Sequence, residues 1–137
     1  MKLWFRVLAV VLCLGGIGTV GAQEEAPGIV AVGGEFLMRI RTRGSDPSIE
    51  ARVDRINERL VPILSIQDLK EEDVRIEPFG KTRYRIMVRK RFLVDVFPED
   101  GRANGVSTRQ QAEIWAKRLR YVLPRVNYQF NPNIQNG

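Results

Sequence analysis

Polar and apolar residues alternate along several short stretches of this chain, the pattern of β-strands with one face against a core and the other in water. The clearest stretch covers residues 35–43, where the polar side ends in arginines. Gly33-Gly34 separates it from an apolar run at 28–32 and predicts a two-residue hairpin turn. The predicted strands are 28–32, 35–43, 74–77, 83–88 and 92–97, with an edge strand at 127–130.

Two other stretches carry apolar residues at spacings of three and four, which is typical of amphipathic helices. The first follows Asp46-Pro47, which suit a cap and a first turn, and Pro62 is expected to distort or end it. The second opens with the capping-box spacing of Ser107-Thr108-Arg109-Gln110 and is expected to end at Pro124. The predicted buried stripes are Ile49, Val53, Ile56, Leu60 and Ile63, then Ala112, Trp115, Leu119 and Val122, while Arg52, Asp54, Arg55, Glu58 and Arg59 are assigned mostly to solvent.

These elements predict one α+β domain over residues 28–130. Its expected form is a two-layer sandwich, with a mainly antiparallel sheet and two helices packed on one face. Residues 36–40 and 92–96 resemble each other, and a loop and a helix follow each of them, which suggests a split β-α-β fold. Chance similarity between amphipathic segments explains the likeness of these two stretches equally well. Residues 23–27 are expected to form a flexible leader and residues 131–137 a frayed tail.

The first 22 residues have the three parts of a secretory signal peptide. Lys2 and Arg6 give a positive start, an apolar run covers 7–14, and small residues lead to Ala22. The run is shorter than the roughly 20 apolar residues of a spanning helix, although an uncleaved anchor or a buried helix is the alternative. Cleavage after Ala22 leaves a mature chain that begins at Gln23 and lies in the periplasm or is secreted.

The composition excludes several kinds of chemistry. Cys13 is the only cysteine and leaves with the signal, and the sequence has no histidine. The commonest zinc ligands, histidine acid–base catalysis, and Ser-His-Asp or Cys-His nucleophiles are therefore excluded. Leu12 stands where a lipoprotein signal needs a small residue, so lipidation of Cys13 is not expected. We expect no metal, no cofactor and no enzymatic activity, and an exported domain without disulfides fits a bacterial envelope.

The charge is moderately positive, with 22 Lys and Arg against 16 Asp and Glu, and loss of the signal leaves an excess of four. Strand alternation places six arginines on the sheet face away from the helices, with Glu77 and Asp95 among them. Such a face suits phosphate or carboxylate groups, as in anionic lipid headgroups, wall polymers, acidic polysaccharides or acidic proteins. The alternative is that the arginines only cover the solvent side of the sheet. The six are Arg39, Arg41, Arg43, Arg75, Arg83 and Arg85.

The order of the motifs also resembles a known family. A strand that ends in arginines leads to a helix with Arg55-Ile56-Asn57-Glu58-Arg59-Leu60, and later come residues 107–112 and Trp115-Ala116-Lys117-Arg118-Leu119. Over residues 30–123 the chain is similar to the extracytoplasmic N-terminal domain of bacterial, especially cyanobacterial, small-conductance mechanosensitive channel proteins. No spanning segment follows the signal, so the resemblance implies a free-standing sensory or assembly domain without the channel. It implies no catalytic residues.

Taken together, these patterns predict a non-enzymatic binding or assembly module of the cell envelope. The expected partner is an envelope protein, an anionic polymer or a lipid headgroup; nucleic acid is not expected, because aromatic residues are sparse on the arginine face. One alternative is a carboxylate-based glycan hydrolase, which needs Glu77 and Asp95 roughly 5 to 10 Å apart in a cleft. The other is a homo-oligomeric structural protein that pairs through the edge at Tyr128.

Overall fold

The computed structural model describes residues 25–130, with side chains described as far as Asn127. The predicted signal peptide at 1–22, the first two leader residues, the tail at 131–137 and the Tyr128 side chain lie outside the described residues. The α+β class is confirmed. In chain order the elements are β1 (Gly28–Val32), β2 (Glu35–Ile40), α1 (Ile49–Leu64), a 3-10 turn (Glu71–Asp73), β3 (Val74–Phe79), β4 (Arg83–Val88), β5 (Arg91–Val96), α2 (Pro98–Ala103) and α3 (Thr108–Phe130).

The strands divide into two antiparallel sheets. In the described chain β1 pairs with β2 alone, and β3, β4 and β5 form a second sheet in that order. The first hairpin turns at Gly33 and Gly34, whose positive φ angles of 58° and 80° confirm the predicted glycine turn. Helix α1 packs on β1 and β5, while α3 contacts strands of both sheets. The core therefore lies between the helices and two separate sheets.

A bulge in β2 decides which residues face this core. Val30 pairs with Met38 and Ala31 pairs with Phe36, so Leu37 is an extra residue with no partner on β1. Leu37 and Met38 are both buried, whereas Phe36 is exposed. The predicted alternation, which placed Phe36 on the same side as Met38, is wrong here, because one extra residue turns the preceding side chains to the other face.

Helix α1 begins two residues later than predicted. Ser48 is the N-cap, and its Oγ accepts a hydrogen bond from the Ala51 N–H at 3.0 Å. The expected cap, Asp46, instead lies 3.1 Å from the Arg55 guanidinium. Pro62 occupies the last turn without ending the helix at once. The backbone hydrogen bond that Pro62 removes lies in the last turn of α1, so no later turn of the helix is disturbed by its loss.

Helix α3 begins where the sequence predicts. The Ser107 Oγ accepts from the Gln110 N–H at 3.1 Å, and the Gln110 Oε1 accepts from the Ser107 N–H at 3.0 Å, so the capping box is confirmed. Between β5 and α3, where the sequence predicted neither a strand nor a helix, lies the short helix α2. Pro98 suits its first turn, and the Asp100 carboxylate accepts from the Phe97 N–H at 2.9 Å.

The end of α3 differs from the prediction. The helix passes Pro124 and continues to Phe130, so the edge strand expected at 127–130 is wrong. Asn127 gives a physical reason, because its buried Nδ2 donates to the Leu64 oxygen at 2.7 Å and to the Ile66 oxygen at 2.8 Å. These two bonds attach the last turns of α3 to the end of α1 and satisfy carbonyls there. Within residues 25–130, no helix has the length and apolar composition that a membrane span requires.

Candidate functional site

A groove of about 710 Å³ lies between β2 and α3. The β2 wall is formed by the consecutive residues 36–39 and by Arg41, which follows the strand. Neighbouring residues of a strand point to opposite faces, so their joint presence indicates that the edge of β2 borders the groove. The α3 wall is formed by residues between Gln111 and Tyr121 at helical spacings.

The groove surface is largely apolar. In the described chain five large hydrophobic residues are exposed, and three of them line this groove: Phe36 at 42%, Ile114 at 52% and Tyr121 at 52%. Leu37 and Trp115 are buried beneath them. Single exposed hydrophobic residues are normal on a protein surface, but a cluster on one concavity is typical of a binding site.

Four cationic residues complete the groove: Arg39, Arg41, Lys117 and Arg118. None of the described lining residues is an acid. The Arg118 guanidinium is partly engaged, since it lies 3.5 Å from the Glu35 carboxylate. Among the described residues, no carboxylate lies within 4.0 Å of the Arg39, Arg41 or Lys117 cations. Cations without acids beside an apolar surface suit a ligand that carries negative charge on an apolar body.

Gln111 adds an unsatisfied polar group to the same place. Its side chain lines the groove, the residue is only 2% exposed, and its Oε1 has no hydrogen-bond partner in the described structure. A buried acceptor left unpaired costs about 1–3 kcal/mol. Gln111 was not among the residues singled out from the sequence, although its place four residues before Trp115 puts it on the buried stripe of α3.

The six arginines predicted to share one face divide between two regions, three on or just after β2 and three in the second sheet, so the single arginine face is wrong. Of the first three, Arg39 lies on β2, and Arg41 and Arg43 follow the strand. Arg39 and Arg41 line the groove. Arg41 also lines a separate cavity beside the start of α1, together with Arg43. The second three lie in the other sheet, on β3 and β4. These are Arg75, Arg83 and Arg85. Their predicted role in binding stays a prediction.

Carboxylates and aromatic rings engage the arginines of the second sheet. The Arg85 guanidinium donates twice to the Asp95 carboxylate, from Nε at 2.8 Å and from Nη2 at 3.1 Å, and this hydrogen bonding raises the pKa of Arg85. The same guanidinium lies 3.6 Å from the Phe79 ring centre and 4.3 Å from that of Phe92. Arg75 lies 3.8 Å from a neighbouring glutamate on its own strand. Arg83 and Arg85 are therefore engaged by contacts within the protein, whereas the Arg75 side chain remains 57% exposed.

The sequence suggested that aromatic residues are sparse near these arginines, but the structure places several rings beside them. Phe79 contacts Arg83 and Arg85, and Phe92 contacts Arg85 and Arg59 at 4.3 Å each. Burial, and then repulsion from a neighbouring arginine, lowers the pKa of Arg59. Because guanidinium groups already cover these rings, the rings offer little free surface for stacking on bases. The absence of nucleic-acid binding stays a prediction.

Arg52, assigned to solvent from the sequence, is buried at 2% exposure. Its Nη1 lies 2.7 Å from the Asp100 Oδ1, and its Nη2 lies 2.8 Å from the Asp100 Oδ2. The same guanidinium donates at 2.9 Å to the backbone oxygens of Thr42 and Asp95. This bonded pair connects α1 with α2 and with the ends of two strands. Position 52 lies three residues after Ile49 on the buried stripe, so its burial follows from helical period.

The acids of the hydrolase alternative share no cleft in the described structure. Glu77 and Asp95 each pair in register with Arg85, on opposite sides of it. Asp95 is held in the ion pair with that arginine, and Glu77 lines none of the five described cavities. Within residues 25–130, no group of three or more acidic residues is placed to hold a metal ion. The geometry gives the hydrolase alternative no support.

Comparison with families of known proteins gives a match over most of the chain. A family model described as Domain of unknown function (DUF8459) matches residues 29–125, a range that includes both walls of the groove. No curated protein and no solved structure matches the chain. The family match carries no link to mechanosensitive channels, so the resemblance to their outer domain stays a prediction.

Proposed function

The chain belongs to the DUF8459 family, and because that family is described only by its unknown function, we propose a function from the groove. The protein is a non-enzymatic binding module of the cell envelope, and it takes an anionic ligand with an apolar body between β2 and α3. The observation that carries this proposal is the set of cations, three of them without an acidic partner in the described part of the chain, beside clustered exposed hydrophobic residues. The envelope location rests on the predicted signal peptide.

The dimensions of the groove support this proposal. Pockets that hold small ligands or short segments measure about 300–1,000 Å³, and the groove holds about 710 Å³. Burial of Phe36, Ile114 and Tyr121 against a ligand supplies the non-directional part of the affinity. The cations then determine which end of the ligand lies where, because charge complementarity contributes mainly to orientation and selectivity.

The groove also narrows the range of anionic partners. Wall polymers and acidic polysaccharides carry charge but little apolar surface, so they leave the hydrophobic walls uncovered. A lipid or an acidic protein segment offers both properties. Of the six arginines predicted from the sequence, the groove retains Arg39 and Arg41 and adds Lys117 and Arg118.

Binding of anilinonaphthalene sulfonate, a fluorescent apolar anion, tests the proposal on the chain that begins at Gln23. Replacement of Arg39→Glu together with Lys117→Glu should weaken binding at least about tenfold, roughly 1.4 kcal/mol, because two attractive charges become repulsive. The neutral analogue phenylnaphthylamine should bind both forms alike. The measurement is a fluorescence titration at low salt.

A matched control changes the charge by the same amount away from the groove. Lys81→Glu with Lys90→Glu alters two exposed turn residues that do not line the groove, and affinity for the sulfonate should change less than about twofold at moderate ionic strength. Wild-type affinity in the Arg39→Glu, Lys117→Glu variant would contradict the proposal. An equal loss of affinity in the control variant would show that the effect comes from the net charge of the protein and not from the groove.

A further inference from the structure

We infer that the natural occupant of the groove is an extended acidic peptide that adds to β2 as a further strand. This inference rests on the proposed function and gives its ligand a chemical class. The first support is that β2 is an edge strand: in the described chain it pairs with β1 and with no other strand. Proteins normally cover or blunt such an edge, because its free backbone groups pair readily with another chain.

The contact of Arg118 shows which way this edge points. The Arg118 Nε, on α3, donates to the backbone oxygen of Phe36 at 2.7 Å. That carbonyl therefore points away from β1 and toward the helix that forms the opposite wall. Arg118 occupies this position near the start of β2, and the groove continues past it to Arg41.

The two walls have lengths that suit a short strand. The six residues of β2 extend roughly 20 Å at about 3.3 Å per residue. The wall of α3 runs from Gln111 to Tyr121, which spans roughly 15 Å at about 1.5 Å per residue. These lengths match a peptide of about five or six extended residues. When a peptide adds to a sheet edge in this way, its backbone hydrogen bonds to the edge strand give affinity, and the pockets for its side chains give specificity.

The charges select an acidic peptide over a second copy of this chain. Arg39 and Arg41 lie two residues apart, which is the spacing of same-side neighbours along an extended chain. Acidic residues at alternate positions of the peptide match them, and the residues between can face the apolar walls. A second copy that paired through its own β2 in a register opposing residues 39 and 41 would bring arginines against arginines, and like charges on adjacent strands are destabilising.

Gln111 favours a peptide over a lipid. Its buried Oε1 has no partner in the described structure and needs a donor. A peptide carries N–H groups along its whole length, whereas an acyl chain carries none. Rotation of the Gln111 side chain toward the groove would let this oxygen accept from a peptide N–H. An anionic lipid carries donors only in its headgroup, so its acyl chains along the apolar walls would leave this acceptor unpaired.

The test begins with selection of random nine-residue peptides on the wild-type chain that starts at Gln23, with the Arg39→Glu, Lys117→Glu variant as counter-selection. The inference predicts enriched peptides in which acidic and apolar residues alternate. The best of them is then synthesised in two forms that carry backbone N-methyl groups on the odd or on the even positions. One form should lose at least about tenfold in affinity and the other much less, because alternate N–H groups of a strand face one neighbour.

Three results would overturn the inference. They are no enrichment over the counter-selected variant, equal binding of the two N-methylated forms, and binding to phosphatidylglycerol vesicles with no peptide selected. The last result, combined with charge-dependent binding of anilinonaphthalene sulfonate, leaves the proposed function in place and assigns the groove to lipid. Loss of that charge dependence removes the proposed function as well, so the two failures are distinguishable.

Discussion

The groove and the second sheet use the same residue type in opposite ways. Along the groove, Arg39 and Arg41 have no carboxylate within ion-pair distance among the described residues, and exposed apolar side chains lie beside them. In the second sheet, Arg85 is bonded twice to Asp95 and stacks on two rings. Arginine stabilises structure in one region and is available to a partner in the other.

This difference shows that a count of arginines on strands does not identify a binding surface. The second sheet places rings beside Arg83, and an acid and rings beside Arg85, and these contacts engage both guanidinium groups. In the groove, Arg118 is engaged by Glu35 and by the rings of Phe36 and Tyr121. Among the described residues the other three groove cations have no such partner, so they are available to a ligand. The partner of each arginine, and not its strand position, separates the two roles.

The buried pair of Arg52 and Asp100 is the extreme case of an arginine with a structural role, and its loss should have the largest effect. Replacement of Asp100→Ala leaves a buried guanidinium without its counter-ion and should lower the free energy of unfolding by about 3–5 kcal/mol. Urea denaturation followed by circular dichroism measures this. As a control, Glu99→Ala breaks the exposed contact with Arg102 and should change stability by less than about 1 kcal/mol. A loss below about 1 kcal/mol for Asp100→Ala would show that Arg52 is not held as described.

A smaller effect is expected at Asp73, whose carboxylate accepts from the Lys70 N–H at 2.8 Å and lies 3.1 Å from the Arg89 Nε. Burial alone would raise the pKa of Asp73, but these two hydrogen bonds lower it below its ordinary value of 3.8. A lowered pKa in the folded state stabilises the fold above pH 3.8 and loses that contribution as acid protonates the group. The wild type should therefore exceed Asp73→Asn in stability at neutral pH.

The difference in stability between the wild type and Asp73→Asn should shrink as the pH falls below 3.8. Urea denaturation at a series of acidic pH values measures this difference. The neighbouring exposed Glu72→Gln provides the control, because no ion pair involves Glu72 among the described residues. A stability difference between wild type and Asp73→Asn that does not vary with pH would contradict the assignment.

The sequence predicted the features that depend on local chemistry. The capping box at Ser107, the glycine turn at Gly33-Gly34 and the buried stripe around Trp115 follow from hydrogen-bonding groups and spacings within one segment, and the structure confirms them. Features that depend on distant contacts were missed. Helix α3 continues past Pro124 where Asn127 bonds to the end of α1, and no pattern in residues 124–130 reveals that partner.

The candidate site was predicted in part, for the same reason. Arg39 and Arg41 were singled out, but the groove also depends on the bulge at Leu37, which turns Phe36 outward. A bulge arises from the pairing of two strands, so the sequence of one strand does not reveal it. The unpaired Gln111 likewise becomes visible only when its neighbours are known.

The most direct test compares equal losses of charge in the two regions. Arg39→Ser with Arg41→Ser removes two groove cations, and Arg83→Ser with Arg85→Ser removes two arginines of the second sheet. The groove pair should lose about tenfold in affinity for anilinonaphthalene sulfonate with little change in stability. The sheet pair should keep its affinity within about twofold while its free energy of unfolding falls by roughly 1–3 kcal/mol. If the sheet pair weakens probe binding as much as the groove pair does, the groove is not the binding site.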